Sequence, residues 1–337
     1  MQKLTTFFLL ALLFGCTKKL EQVKLFGSTM GSSYKVKYFA GSSAPSKIII
    51  SQEIEAKLKK VNDSMSTYLS YSEISKINRI KGDEWINVSP ELHQVLLEAK
   101  KISVKSDGYF DITVGPLVNL WGFGPSGVRK VPSIEEIEKQ MAKVGHHLLV
   151  VDPTKPRIRK LRDGVELDLS SIAKGFGVDQ LALVLENHKI TSYLVEIGGE
   201  IKVAGTKPNG KKWSIGVESP DFFTRQIKKV FYLSDKAIAT SGDYRNFFKG
   251  GGKTYSHTFD FKTGRPVTHN LASVTVVDAT SCMIADGYAT TLMALGNKAF
   301  EFAEKNNLAA FFIYRGKDKF IEKSTTKFKI MVQGASR

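Results

Sequence analysis

Apolar residues along this chain switch between helical and strand spacing in blocks rather than in strict alternation. Residues 48–61 place apolar side chains at helical intervals and predict an amphipathic helix. Residues 90–106 predict a second, opened by Pro90 in its first turn. Residues 134–144 predict a third, where Ser133 and Glu136 have capping-box spacing. Residues 173–187, 283–295 and 298–306 carry further helical patterns. Strand-like segments are 30–39, entered through Gly31-Ser32-Ser33, then 161–169, and 192–203 as two short strands broken at Gly198-Gly199. Segments 213–217, 228–233, 237–240, 254–259, 272–277, 309–314 and 328–332 follow, the last two closing a sheet. Strands that come in runs argue for an α+β fold over a doubly wound sheet.

The first residues break this pattern. Lys3 precedes an apolar stretch, 7–14, that is too short to span a bilayer. It ends in Leu13-Phe14-Gly15-Cys16, which resembles a bacterial lipobox. The expectation is a lipoprotein signal peptide over 1–15, cleavage before Cys16 and acylation of that thiol. An ordinary secretory signal or an uncleaved anchor is the alternative. Residues 16–25, with Lys18, Lys19 and Glu21, read as a polar tether, and 26–337 as the functional domain, built as two coupled lobes. Thr17 gives no sign of inner-membrane retention, so the expected location is the extracytoplasmic face of a bacterial membrane, inner or outer. Cys282 has no partner once Cys16 is acylated, so no intramolecular disulfide is expected.

Charge narrows the partners. The chain of 337 residues carries a formal +16 with 42% hydrophobic residues, ample for a large core. Its lysines are scattered, without a long basic run, zinc-finger spacing or RNP-like aromatic segment, which argues against nucleic acid. The positive charge suits an anionic membrane face or an anionic substrate instead.

Residues 168–179, Asp-Leu-Ser-Ser-Ile-Ala-Lys-Gly-Phe-Gly-Val-Asp, are the most informative stretch. A turn with Ser170 and Ser171 leads into Lys174, Gly175 and Gly177 where a helix begins, an arrangement suited to a pyrophosphate. Walker A spacing is absent, and a plain strand-to-helix turn with a solvated lysine is the competing explanation. Asp286 and Thr290, four apart, put two hard oxygens on one helix face, as Mg²⁺ requires; a helix cap beside a core hydroxyl explains the same pair. His257, in the turn-flanked run His257-Thr258-Phe259-Asp260, is a candidate base or phosphate contact, or a hydrogen-bonded structural histidine. Ala239-Thr240-Ser241-Gly242-Asp243-Tyr244-Arg245 is a polar turn able to hold a ribose or ribityl group. Glu196-Ile197-Gly198-Gly199-Glu200 permits close backbone approach. Met65-Ser66-Thr67-Tyr68 with Ser72-Glu73-Ile74, and the run Gly108-Tyr109-Phe110-Asp111 through Pro116 to Trp121, offer aromatic surfaces for a flat ring.

Taken in order from Met30-Gly31 to Thr290, these motifs resemble the ApbE-type FAD:protein FMN transferase family. The resemblance implies mixed sheets flanked by helices in a duplicated T-fold-like arrangement. It implies FAD as substrate and Mg²⁺ as cofactor, with Asp286, Thr290 and the main-chain carbonyl of Ala173 as metal ligands. Lys174 then faces the FAD phosphates, and His257 and Asp260 handle or position a proton. Met30, Tyr68, Asp111, Ser171, Glu196, Gly198, Ser241 and Asp243 become candidate flavin and adenosine contacts. The implied reaction moves FMN from FAD to a threonine or serine hydroxyl of an acceptor flavoprotein, a subunit of a membrane redox complex, and releases AMP. An FAD pyrophosphatase and a non-catalytic flavin-binding lipoprotein are the alternatives. The chain departs from the family pattern at Phe261, where proline is usual, and at Gly287, where alanine is usual. The family's acceptor pattern is absent, so the chain is expected to modify other proteins and not itself.

Overall fold

The computed structural model describes residues 20–42, 44–125, 127–220, 226–244, 247–250 and 252–333. The expected signal peptide, Cys16, the first tether residues through Lys19, and Arg245 lie outside the described residues. Eight strands form the central sheet: β1 (Glu21–Thr29), β2 (Ser32–Ala40), β3 (Tyr193–Ile197), β4 (Glu200–Ala204), β5 (Lys236–Gly242), β6 (Leu271–Asp278), β7 (Ala309–Arg315) and β8 (Phe320–Ser324). Each pairs with its sequence neighbour, and every pair is antiparallel. The α+β class therefore holds. Helices α1 (Lys47–Met65), α2 (Pro90–Lys105) and α3 (Ala173–Asn187) are inserted between β2 and β3, and α4 (Cys282–Leu295) between β6 and β7.

Alternation on each strand sorts the layers. Tyr34, Val36 and Tyr38 of β2 pack with Ile50, Ile54 and Leu58 of α1 and with Val178 and Leu181 of α3. Leu194, Ile201 and Val203 pack instead with the hairpin of Trp213–Glu218 and Ile227–Leu233. Strand β6 is buried on both sides, which is why it reads as a continuous apolar run. Helices α2 and α4 share a core with Ala239, Val274, Val276 and Phe312.

The α3–α4 contact is unusually close. A Cβ on Gly175 would lie 2.4 Å from the Cys282 carbonyl oxygen and 2.8 Å from Asp286 Cβ. Asp179, one turn further along α3, accepts from the Ser281 hydroxyl at 2.9 Å and from the Cys282 and Met283 N–H groups at 3.0 Å. It thus satisfies orphan donors at the start of α4 from a neighbouring helix.

Three segments differ from expectation. Residues 161–169 are irregular, and the strand lies earlier, at Arg157–Lys160. The Asn78 side chain takes the place of a ladder, donating to the Leu167 carbonyl at 2.9 Å and accepting from the Leu167 N–H at 2.8 Å. Residues 328–332 are helical: Phe328 and Val332, four apart, both enter the Phe231–Phe311 cluster, and buried Thr325 caps the turn. Residues 21–25, expected as tether, belong to β1, where Val23 and Leu25 face the core. No described helix is long and apolar enough to cross a membrane.

Gly175→Ala pushes backbone against backbone and should lower stability by about 1–3 kcal/mol in urea unfolding. Gly287→Ala meets only the Ile102 Cδ1 tip, at 2.6 Å, and gains helix propensity, so it should change stability by under about 1 kcal/mol. Equal losses would show that the α3–α4 contact is not the tight one.

Candidate active site

The meander brings its turns to one end of the sheet. Thr29 pairs with Ser32 across Met30-Gly31, and Ile197 pairs with Glu200 across Gly198-Gly199. Both two-residue loops have positive φ at both positions, 50° and 66° in the first and 62° and 107° in the second. That is the geometry of tight hairpins that follow strand twist. Met30 holds it without being glycine, a backbone strain of the kind found at functional sites. Because Tyr34 pairs with Ile197, the two turns lie side by side.

Here opens a pocket of about 460 Å³, within the range of small-molecule sites. Met30, Gly198 and Glu200 line it from the hairpins, Ser241 from β5, Asp168, Ser170 and Ser171 from the loop before α3, Lys174 from the first turn of α3, and Asp286 and Thr290 from α4. Tyr109, Asp111, His257 and Phe261 complete it. Helix α3 begins here without a side-chain bond from its N-cap residue. The Ala173 N–H is taken by the Leu169 carbonyl at 2.8 Å and the Phe176 N–H by the Ile172 carbonyl at 3.1 Å, so the remaining first-turn donors are those of Lys174 and Gly175. One of them, the Gly175 N–H, donates to Asp286 Oδ2 at 2.9 Å.

The charges are lopsided. Among the described lining residues Asp111, Asp168, Glu200 and Asp286 face a single lysine. Lys174 Nζ lies 2.6 Å from Glu200 Oε1, while buried Glu200 Oε2 has no hydrogen-bond partner. Burial first, then the Glu200 charge, pushes the Asp286 carboxyl well above the usual carboxylate range, against the pull of Lys174 and the Gly175 N–H. Burial alone would depress the Lys174 ammonium, but Glu200 and Asp286 outweigh it and hold it above its ordinary value. Thr290 Oγ1 lies one turn from Asp286 and 3.5 Å from the Ser171 carbonyl. A cavity with surplus carboxylate, a hydroxyl and main-chain oxygens fits a hard divalent cation. No group of three His, Cys, Asp or Glu residues suited to a metal occurs among the described residues. The cation would take its other oxygens from backbone, water and ligand.

Most of the sequence candidates converge. Met30, Asp111, Ser171, Lys174, Gly198, Ser241, His257, Asp286 and Thr290 line the pocket, and Ala173 opens α3 beside Lys174. Tyr68 stays at the rim, where its hydroxyl donates to the Phe123 carbonyl at 2.9 Å. Burial and then the Asp168 carboxylate raise its phenol. Tyr68, Ala173, Glu196, Asp243 and Asp260 are not among the lining residues. Glu196 pairs with Lys35 at 3.1 Å, and Asp243 makes two 2.6 Å bonds to Arg315. Asp260 builds the turn, its carboxylate accepting from the Lys262 N–H and its carbonyl from the Gly264 N–H, both at 2.9 Å. Those bonds hold the turn without proline. Phe261 meanwhile packs edge-on against Tyr109, 5.1 Å between centroids. His93 and His269 are structural, each ring 2.7 Å from a backbone carbonyl.

Sequence reasoning passed over Glu200, Asp168, Tyr109 and Phe261 as individual site residues. Each lies inside a motif that was noticed. The missing signal was face: Glu200 pairs with Ile197 and Glu196 with Ile201, and adjacent pairs of a hairpin point to opposite sides of the sheet.

The profile of the ApbE family matches residues 30–312. The chain is 43% identical over 325 residues to a protein of Haemophilus influenzae named FAD:protein FMN transferase, covering 94% of each. It superposes on the flavin transferase ApbE from Vibrio cholerae with TM-score 0.86 at 40% identity, covering 93% of this chain and 100% of that one. The apo flavinyl transferase ApbE of Pseudomonas stutzeri gives TM-score 0.84 at 38% identity, covering 93% and 97%. With its motifs in family order around one pocket and this match running through nearly all of its sheet, the chain belongs to the ApbE family.

Proposed function

We propose that this chain is an FAD:protein FMN transferase: it moves the FMN moiety of FAD, with Mg²⁺, onto a threonine or serine hydroxyl of an acceptor flavoprotein and releases AMP. The observation that carries this reading is the meeting of Lys174, at the start of α3, with an excess of buried carboxylate in one pocket. Donors for a pyrophosphate and ligands for its counter-cation meet in one place. Asp286, Thr290 and the Ala173 carbonyl are the residues that would hold Mg²⁺, which when bound neutralises phosphate charge as the transfer proceeds.

The residues of the chain divide the remaining work. The Lys174 ammonium and the Lys174 backbone N–H bind and orient the pyrophosphate, and Glu200 fixes the lysine. The acceptor oxygen forms a bond to the FMN-side phosphorus, the bridging P–O bond breaks, and AMP leaves with the bridging oxygen. The hydroxyl proton passes to His257, which lines the pocket at its exposed side. Tyr109 and Phe261 offer a wall for a flat ring. The acceptor class is flavoprotein subunits of membrane redox complexes, in keeping with acylation of Cys16 and an extracytoplasmic location.

Incubation with FAD, Mg²⁺ and a threonine-bearing acceptor should add the mass of FMN to the acceptor, release AMP and leave the enzyme unmodified. Free FMN and AMP without acceptor modification would replace transfer by hydrolysis; tight FAD binding with no product would make the protein a carrier.

Asp286→Asn should cut transfer by at least about a hundredfold, the scale of losing one preorganised electrostatic element. It should leave metal-free stability at neutral pH equal or higher, because asparagine matches the protonated carboxyl in shape, can still accept from the Gly175 N–H, and needs no proton uptake to be buried beside Glu200. A variant that keeps full activity in Mg²⁺ would overturn the metal assignment.

The pH dependence has a definite sign. The folded state holds a proton on Asp286 at pH values where the unfolded chain has lost it. Metal-free stability should therefore fall as pH rises from the ordinary carboxylate range toward the raised value. Mg²⁺ should displace that proton and bind more tightly at higher pH, and calorimetry in buffers of different ionisation enthalpy reads the release.

A further inference from the structure

Among the described residues, the outer face of the β1–β2 hairpin has no layer packed over its first strand, where Gln22, Lys24, Phe26 and Ser28 are exposed. Register puts Lys24 opposite Lys37 and Phe26 opposite Lys35, with side chains alternating away from buried Leu25, Tyr34 and Val36. Phe26 is 60% exposed. Lys207 extends the basic patch, its ammonium 5.7 Å from the Trp213 ring centre. The lysines feel one another: partial burial, then Lys35, Lys24 and Lys207, lower the Lys37 ammonium, and Glu196 opposes them. Lys35 is paired with Glu196, which leaves Lys24, Lys37 and Lys207 as the net charge of the face.

Chain length ties this face to the anchor. Glu21 begins β1 only five positions after Cys16, a reach of at most about 18 Å when fully extended. Lys18 and Lys19 lie within that reach. The far end of the same hairpin, Met30-Gly31, lines the active-site pocket.

We propose that the outer face of the β1–β2 hairpin, with Lys24, Phe26 and Lys37 at its centre, docks on an anionic phospholipid bilayer and holds the pocket mouth beside the membrane. The argument about reach rests on the reading of Cys16 as the acylation site; the charge and the exposed ring stand without it. Lysines beside such a surface gain from its negative potential, and an exposed aromatic suits the headgroup boundary. Docking would bias the enzyme toward acceptors whose hydroxyl lies near the bilayer.

The test uses the full chain with Cys16→Ser, so that no acyl chain contributes. A polarity-sensitive thiol label is placed through Phe26→Cys and, separately, through Ile321→Cys on the opposite edge strand, which is 47% exposed. Vesicles of phosphatidylcholine alone and with 30% phosphatidylglycerol are compared; about 30% is chosen because the surface potential must be substantial at ordinary salt. The label at 26 should shift to shorter wavelength on the anionic vesicles only, and the label at 321 should not. Lys24→Glu with Lys37→Glu should weaken that response at least tenfold while transfer in solution is unchanged. No shift at 26, equal shifts at both positions, or a shift that grows with protein concentration without vesicles would each overturn the proposal, the last in favour of a second copy of the chain. The anchor reading fails separately, if mass spectrometry of wild-type protein from cells finds Cys16 unmodified.

Discussion

The structure depends on one crossing, where α3 meets α4 closely enough that Gly175 has no room for a side chain. Gly175 lets the backbones approach, Asp179 caps α4 from α3, and the Gly175 N–H donates back to Asp286. Those contacts fix Asp286 and Thr290 of one helix against the start of the other, beside Lys174. A side chain at Gly175 would part the two halves of the site before it altered any charge.

That crossing also explains the electrostatics. Bringing Asp286 under the start of α3 buries it beside Glu200, and Lys174 compensates only one of the two. The pocket is acidic inside a chain of net charge +16. Overall charge therefore does not describe the pocket; local geometry sets its charge, and the surplus carboxylate there fits a cation. The general basicity is spent elsewhere, as on the lysine-rich face of the first hairpin.

Both departures from the family pattern acquire a physical reason. Gly287 makes room for the Ile102 side chain of α2, so its weaker helix propensity is exchanged for packing. Phe261 gives up proline's rigidity, but Asp260 supplies the turn's hydrogen bonds and the ring becomes part of the pocket wall with Tyr109.

The sequence by itself determined the elements whose burial is one-sided or complete. Helix α3 begins and ends where its pattern predicts, β6 reads as a buried run, and the capping box at Ser133 and Glu136 forms. It also picked out motifs that converge on the pocket, because their order along the chain resembles one family, although a plain turn and a helix cap explain the same spacings singly. Only the tertiary structure decided which members of each motif face the ligand. Glu196 and Glu200 share a hairpin, yet strand alternation and the turn send one to Lys35 and the other to Lys174. Segments 161–169 and 328–332 escaped the pattern for the same reason. An Asn78 side chain replaced a strand partner in the first, and a four-residue spacing met an aromatic cluster in the second. Local sequence fixes periodicity, but the partner that satisfies a backbone or neutralises a charge comes from a distant part of the chain.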